Sequence, residues 1–268
     1  VSKIKIGIIH NYEDKTMALL PRLEKLLVER GFEIDPKEPE IVITVGGDGT
    51  LLSAFHHYAE RINEVRFLGI HTGHLGFYTD WRDYELEEMA DNLKENPWES
   101  VSYPLLDVGI EYSNGEEVHY LALNESTIKR PVQTMVTDVW IDDEWFESFR
   151  GDGLVISTPT GSTAYNKSAG GAVLHPKLNA FQLAEIASLN NRVYRTLGSP
   201  IVIAKEGRLT LTLEEDAEYL VTVDQLDLRH NHLCSVTYQV ASERVHFVAS
   251  RHMPFWERVK EAFIGEKL

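Results

Sequence analysis

The sequence predicts an α/β part followed by a strand-rich part, and three observations carry that expectation. Over the first 96 residues, short apolar β-branched runs alternate with stretches of helical spacing, the order that sets parallel strands beneath covering helices. Near Pro97 the pattern changes, and residues 100–152 are mostly strand-like with few helix signals. The apolar run Ile41–Val45 leads straight into Gly46-Gly47-Asp48-Gly49-Thr50, a tight strand-to-helix loop.

Residues 3–9 read as the first strand. Residues 16–30 carry Leu19, Leu20, Leu23, Leu26 and Leu27 at helical spacing, with Gly31 as a stop signal. A turn-like connector at 36–39 precedes the strand Ile41–Val45, and the segment opening Leu51-Leu52-Ser53 reads as a helix to about Tyr58. A short strand follows at 66–70, then the loop Gly73-His74-Leu75-Gly76-Phe77 and an acidic helix over 84–96. Beyond Pro97, Asn114-Gly115 is a strong hairpin signal and Asp142-Asp143 a weaker one. Residues 154–158 read as a strand and 181–188 as a short helix. Strands are expected again at 209–213, Tyr219–Val223, 235–240 and 244–249, and a closing amphipathic helix at Phe255–Phe263. The expected division is 1–99 against 100–249.

Bulk properties exclude several classes. The 268 residues give room for a sizeable core and one or two domains. Lys and Arg number 26 against 42 Asp and Glu, a net charge of −16, which argues against a general nucleic-acid binder. An anionic ligand stays allowed, because a local nest of N–H groups can overrule the global field. Cys234 is the single cysteine, so neither an intramolecular disulfide nor a thiolate metal cluster is available, and a reducing cytoplasm is the expected setting. No run approaches the roughly 18 apolar residues of a membrane span, and residues 1–9 carry no signal-peptide pattern.

The glycine loop is the strongest chemical signal. Glycines allow close backbone approach, and a helix start offers unpaired N–H groups to phosphate. An aspartate there repels phosphate, so Asp48 points to a base, a hydroxyl acceptor or a metal contact beside an anion; the bland alternative is a side-chain helix cap. The chain lacks G-x-x-x-x-G-K-[ST], and Leu52 stands where G-x-G-x-x-G needs its third glycine. Asn124-Glu125-Ser126-Thr127 offers donors and acceptors for a sugar diol or purine edge, against the plainer reading of a polar strand end. Gly151-Asp152-Gly153 and the stretch from Ser157 to Tyr165 combine hydroxyls, backbone N–H groups and an aromatic ring, which suit a nucleoside. No serine lies in G-x-S-x-G. His71 and His74 form H-x-x-H, and His230 and His232 form H-x-H, but no third ligand has metal-site spacing. Trp140, Trp145 and Phe149 are expected in a core or interface.

In this order, the GGDGT loop, the Asn-Glu pair and the GDG segment followed by Ser-Thr-Pro-Thr-Gly-Ser-Thr-Ala-Tyr resemble the NAD kinase family, of the bacterial type that uses ATP or polyphosphate. Residues 69–77 and Asn190-Asn191-Arg192-Val193-Tyr194 are similar to the same family. The resemblance implies an α/β N-terminal domain, an all-β C-terminal domain with a cleft between them, and a tail, 250–268, returning to the first domain. It implies phosphorylation of the adenosine ribose 2′-hydroxyl of NAD to give NADP, with ATP and Mg²⁺, by a homodimer or homotetramer that needs neither nucleic acid nor membrane. By motif, Asp48 is the implied base, and Gly47 and Gly49 line phosphate. Asn124 and Glu125, with Phe77 nearby, hold the adenosine side. Thr160, Thr163, Ala164, Tyr165 and Ser168 shape the pocket. Asp152 and Ala187 reach the nicotinamide end, and Asp224 makes a further NAD contact. Rivals are a lipid kinase or phosphofructokinase with a GGDG-like loop, and a non-catalytic dinucleotide sensor.

Overall fold

The computed structural model describes residues 3–73, 75–214, 216–249, 251 and 253–265. Two compact units emerge, Val1–Ser102 with Val245–Leu268, and Tyr103–Arg244. His74, half of the H-x-x-H pair, lies outside the described residues, as do 250, 252 and 266–268 of the tail.

The first unit begins β1 (Lys5–His10), α1 (Asp14–Glu29), β2 (Glu33–Ile34), β3 (Ile41–Val45), α2 (Asp48–His57), β4 (Arg66–His71), β5 (Trp81–Arg82) and α3 (Leu86–Glu95). The strands are parallel, ordered β2-β1-β3-β4 with β5 on β4; Ile6 pairs with Ile41, and Ile41 with Arg66. Every residue of β3 is buried, which is why its sequence is a continuous apolar run without alternation. α1 turns Leu20, Leu23, Leu26 and Leu27 inward, and α3 turns Leu86, Met89, Ala90 and Leu93 inward. These side chains share one core with Ile6, Ile41, Ile43 and Ile70.

The second unit holds most of β6 (Ser100–Tyr112), then β7 (Glu117–Ala122), β8 (Glu125–Lys129), β9 (Met135–Ile141), β10 (Glu144–Gly151), β11 (Gly153–Ser157), the one-turn α4 (Tyr165–Ser168), β12 (Ala180–Ile186), β13 (Ile201–Ala204), β14 (Leu209–Thr212), β15 (Tyr219–Val223), β16 (Leu226–His230) and most of β17 (Leu233–Val248). One antiparallel sheet runs β13-β12-β11-β8-β15-β16. A second array runs β10-β9-β14-β17, with β6 between β17 and β7. Inward faces of both meet in a core that includes Val108, Ile128, Val139, Ile156, Phe181, Leu211, Tyr219 and Tyr238. Asn114-Gly115 turns β6 into β7. Asp142 and Asp143 turn β9 into β10 with φ of 52° and 65°, the left-handed pair of a tight hairpin. Phe149 is in the core, whereas Trp145 is exposed and Trp140 half-buried.

Two sequence expectations are corrected. Residues 181–188 form no helix: β12 occupies the stretch, between β11 and β13. Leu183, Ala184 and Glu185 favour helix intrinsically, but Phe181 to Ala184 are buried on both faces, where periodicity cannot separate strand from helix. The buried Gln182 side chain exchanges hydrogen bonds with the backbone of Ala172 (2.9 and 2.8 Å). The two strands expected at 235–240 and 244–249 are one, β17; Ser242 and Glu243 interrupt the apolar pattern without interrupting the strand.

α5 (Phe255–Phe263) belongs to the first unit and matches the span expected from its amphipathic spacing.

Candidate functional site

The first cluster forms where β3 ends and α2 begins, at the carboxyl edge of parallel strands, the usual ligand edge of such sheets. Gly46 has φ of 152°, and a Cβ there would lie 2.3 Å from Thr50 Oγ1, so glycine is required. Gly47 and Gly49 are exposed with open space where a side chain would be. A ligand can therefore approach the backbone closely, beside N–H groups at the helix start that have no intrahelical acceptor.

Asp48 is the first residue of α2, yet its side chain caps nothing. Its carboxylate accepts hydrogen bonds from the N–H groups of Phe77 (2.8 Å) and Tyr78 (3.0 Å). Those two bonds fix its direction and leave further lone pairs for a ligand. Gly76 packs against it so closely that a Cβ would lie 2.2 Å from Oδ1. Phe77 is half-buried, its ring 5.8 Å from that of Phe263. His71 lies nearby in sequence, with Nδ1 bonded to the Gly73 carbonyl (3.0 Å). Among the described residues no group of three His, Cys, Asp or Glu side chains can hold a metal.

The second cluster lies in the strand-rich unit, where β8 starts. Asp224, in the turn between β15 and β16 with φ of 53°, aims its carboxylate at three backbone N–H groups. Oδ1 accepts from Asn124 (2.7 Å) and Glu125 (3.2 Å), and Oδ2 from Leu123 (2.9 Å). Its own N–H donates to the Glu125 carbonyl (2.8 Å). Asp224 thus builds the corner that presents Asn124 and Glu125. From the other side, Thr158 Oγ1 donates to the Leu123 carbonyl (2.6 Å) and accepts from the Gly161 N–H (2.9 Å). Gly161 sits so near that corner that a Cβ would fall 2.0 Å from the Asn124 carbonyl oxygen.

Glu125 is buried, and its carboxyl is pushed up to about 8, first by burial and then by the negative Asp224, against a bond from the Tyr165 N–H. Its Oε2, like the buried Thr160 Oγ1, has no hydrogen-bond partner among the described residues. Orphaned buried polar atoms are uncommon, and a polar ligand is one way to satisfy them. Thr163 is buried, Ala164 half-buried, and Tyr165 and Ser168 are exposed. The Tyr165 hydroxyl accepts from Lys129 Nζ (2.8 Å), whose ammonium lies 4.7 Å from the ring centroid. Asp152 and Ala187 form a separate pair at the other end of β11 from Ser157, which pairs with Glu125. Asp152 is exposed, its N–H donates to the Ile186 carbonyl (3.0 Å), and Ala187 has φ of 47°.

The Glu125 shift makes stability depend on pH. Unfolded, this carboxyl ionises near the ordinary 4.5; folded, it holds its proton to about 8. Its contribution is complete below the unfolded value and fades as pH climbs towards the folded one. Unfolding in urea at pH 5 and pH 8 is expected to show wild type losing on the order of a few kcal/mol relative to Glu125→Gln. Parallel behaviour of the two proteins would contradict a protonated Glu125.

Sequence reasoning passed over Lys129, the N–H groups of Phe77 and Tyr78, and the use Asp224 makes of its carboxylate. Each depends on a partner distant in sequence, and no local pattern announces it.

Residues 32–96 match the family model of the ATP-NAD kinase N-terminal domain, and residues 117–250 that of the ATP-NAD kinase C-terminal domain. The chain is 62% identical to the NAD kinase of Enterococcus faecalis over 264 residues, 98% of this chain and 100% of that one. It is 54% identical to the NAD kinase of Lacticaseibacillus paracasei, with the same coverage. Among solved structures it is similar to yeast NADH kinase complexed with NADH (TM-score 0.84, 17% identity, 99% of this chain and 88% of that one). It is also similar to an NAD kinase from Archaeoglobus fulgidus in complex with ATP (TM-score 0.74, 22% identity, 91% and 93%). At those identities the two structures share the fold.

Proposed function

This chain belongs to the NAD kinase family, and from that premise we propose a division of labour in which Asp48 is the general base of the transfer. The reaction is ATP-dependent phosphorylation of NAD to NADP. The bond from the ribose 2′-oxygen to the γ-phosphorus forms as the bond from that phosphorus to the bridging oxygen breaks. ADP leaves, and the hydroxyl proton passes to Asp48. Such a transfer needs alignment and charge stabilisation more than covalent chemistry. A carboxylate is a weak base, but one held in hydrogen-bond reach can take the proton as the new bond forms. The observation that carries this reading is the direction of Asp48, fixed by Phe77 and Tyr78 N–H groups beside two open glycines.

The unit with the glycine loop receives the phosphate donor, Gly47 and Gly49 lining it. Mg²⁺ keeps several waters and is held largely by substrate phosphates, so few protein ligands are expected for it. When bound, Mg²⁺ neutralises charge on the donor phosphates. The strand-rich unit, 100–249 by sequence, binds NAD. Asn124 and Glu125 hold the adenosine side, and a protonated Glu125 offers an O–H as well as an acceptor. Thr160, Thr163, Ala164, Tyr165 and Ser168 shape the pocket, and Phe77 is a further NAD-binding residue. Asp224 acts on NAD through the corner it builds at Asn124 and Glu125. Asp152 and Ala187 serve the nicotinamide end; their place at the far end of β11 favours a ligand held by a neighbouring copy in a homodimer or homotetramer. A reducing cytoplasm is the setting that the single cysteine favours.

A coupled assay of ATP plus NAD, with Mg²⁺ present and then chelated, tests the reaction: NADP should form in the first case and stop in the second. NADP formation unaffected by chelation would contradict the cation's role, and tight NAD binding with no NADP formed would favour a sensor. Polyphosphate in place of ATP tests the alternative donor. Tyr165→Ala is expected to weaken NAD binding roughly tenfold, the scale of a lost stacking surface, with kcat little changed. A large loss of kcat at unchanged affinity would contradict that assignment.

A further inference from the structure

Arg258 on α5 is only 3% exposed. A buried guanidinium must find acceptors for its donors, and the acceptors here all belong to one loop. Nη1 donates to the carbonyls of Gly76 (2.8 Å) and Thr79 (3.0 Å), and Nη2 bonds the Asp80 carboxylate. Gly76 and Thr79 lie on either side of Phe77 and Tyr78, the two residues whose N–H groups hold Asp48. The loop runs between β4 and β5 with no sheet or helix ladder of its own at 75–80. It is held by the Gly76 N–H bond to Thr79 Oγ1 (3.1 Å), the Asp80 N–H bond to the Gly69 carbonyl (3.2 Å), the tilted contact of Phe77 with Phe263 of α5, the stacking of Tyr78 on Phe247, and Arg258, which among these groups takes the carbonyls on either side of Phe77 and Tyr78. It also has room to move: a cavity of about 430 Å³ lies beside it, lined by Leu75, Gly76, Phe77, Arg258, Glu261 and Ala262.

We propose that Arg258 is a positioning residue for phosphoryl transfer: bracketing Phe77 and Tyr78, it fixes the two N–H groups that aim Asp48. The inference rests on Asp48 being the base. Arginine suits the task because its planar fork serves two carbonyls and a carboxylate at once; a lysine ammonium is a single compact charge without that fork. The hydrogen-bond partners of Arg258 are Gly76, Thr79 and Asp80, all in the loop. Its effect travels through the loop to the carboxylate.

The test is a double-mutant cycle on the full-length protein with Arg258→Ala, Asp48→Asn and the pair, reading kcat, KM for NAD and NAD affinity. A misplacement of about 1 Å at a reacting group can cost about a hundredfold. Arg258→Ala is therefore expected to lower kcat about 10- to 100-fold, with KM and affinity for NAD within about threefold. In the Asp48→Asn background the same change should cost less than about threefold, because the group it positions is already gone. Arg258→Lys, which keeps the charge but lacks the fork, is measured alongside with thermal denaturation, and should show a smaller loss of kcat with α5 still folded. Unchanged kcat, a loss confined to KM, or losses that multiply fully with Asp48→Asn would overturn the inference. Asp48→Asn alone reports on the base: near-wild-type turnover there removes that assignment, whereas a crippled Asp48→Asn with multiplying losses removes only the role of Arg258.

Discussion

Asp48→Asn is expected to lower kcat by at least roughly a hundredfold, the scale of a lost general base, while NAD affinity stays within about threefold. A hundredfold corresponds to about 2.7 kcal/mol of transition-state stabilisation. Asparagine has nearly the same shape, so the helix start and the glycine loop should survive. Its amide differs from the carboxylate in two ways. It cannot take the 2′-hydroxyl proton. It also turns an NH₂ group towards one of the two N–H donors that the carboxylate now satisfies, at Phe77 (2.8 Å) or Tyr78 (3.0 Å). The second effect costs about 1 kcal/mol of stability and shows in thermal denaturation; the first shows only in turnover. Steady-state kinetics with saturating ATP, beside NAD titration by calorimetry, separates them. Turnover close to wild type would remove Asp48 from the base role, and a collapse of NAD affinity at preserved kcat would make it a binding residue.

Gly76→Ala should be nearly as damaging, by a different route. The new Cβ would lie 2.2 Å from Asp48 Oδ1 and 2.7 Å from Cγ, distances that no real contact adopts. The carboxylate is the movable party, being the end of a side chain, so the fold can accommodate the methyl group by displacing it. Displacement breaks the two bonds to Phe77 and Tyr78. The expected outcome is a kcat reduced on the order of a hundredfold, as for misplacement of a reacting group, with a stability loss of only about 1–3 kcal/mol, as for other overpacked sites. Kinetics and urea denaturation on the same preparations measure both. A fully active Gly76→Ala would show that the position of this carboxylate does not matter to the reaction.

The contrast between these residues shows what was legible in the sequence. The loop at 46–50 was readable because its features are local: a buried strand written as five apolar or β-branched residues, then glycines, then helical spacing. α5 was readable from its amphipathic spacing alone. Asp48 and the Asn124–Glu125 pair could be picked out as chemistry, but not the groups that hold them. Asp224 meets residues 123–125 about a hundred positions earlier, and Arg258 meets Gly76 across 182 positions. Nothing in Phe-Trp-Glu-Arg-Val distinguishes Arg258 from a solvated helix residue; only folding buries it. β12 failed for the opposite reason. Its residues prefer helix, and burial on both faces removed the alternation that would have identified a strand.

The central claim is that Asp48 stands within proton-transfer distance of the hydroxyl that is phosphorylated. A crystal structure of the protein with NAD bound measures this directly, as the distance from the Asp48 carboxylate to the adenosine ribose 2′-oxygen. The account predicts about 2.6–3.2 Å, with the Phe77 and Tyr78 N–H bonds kept. A carboxylate turned away from the ribose, with neither a direct bond nor one bridging water to that oxygen, would contradict it.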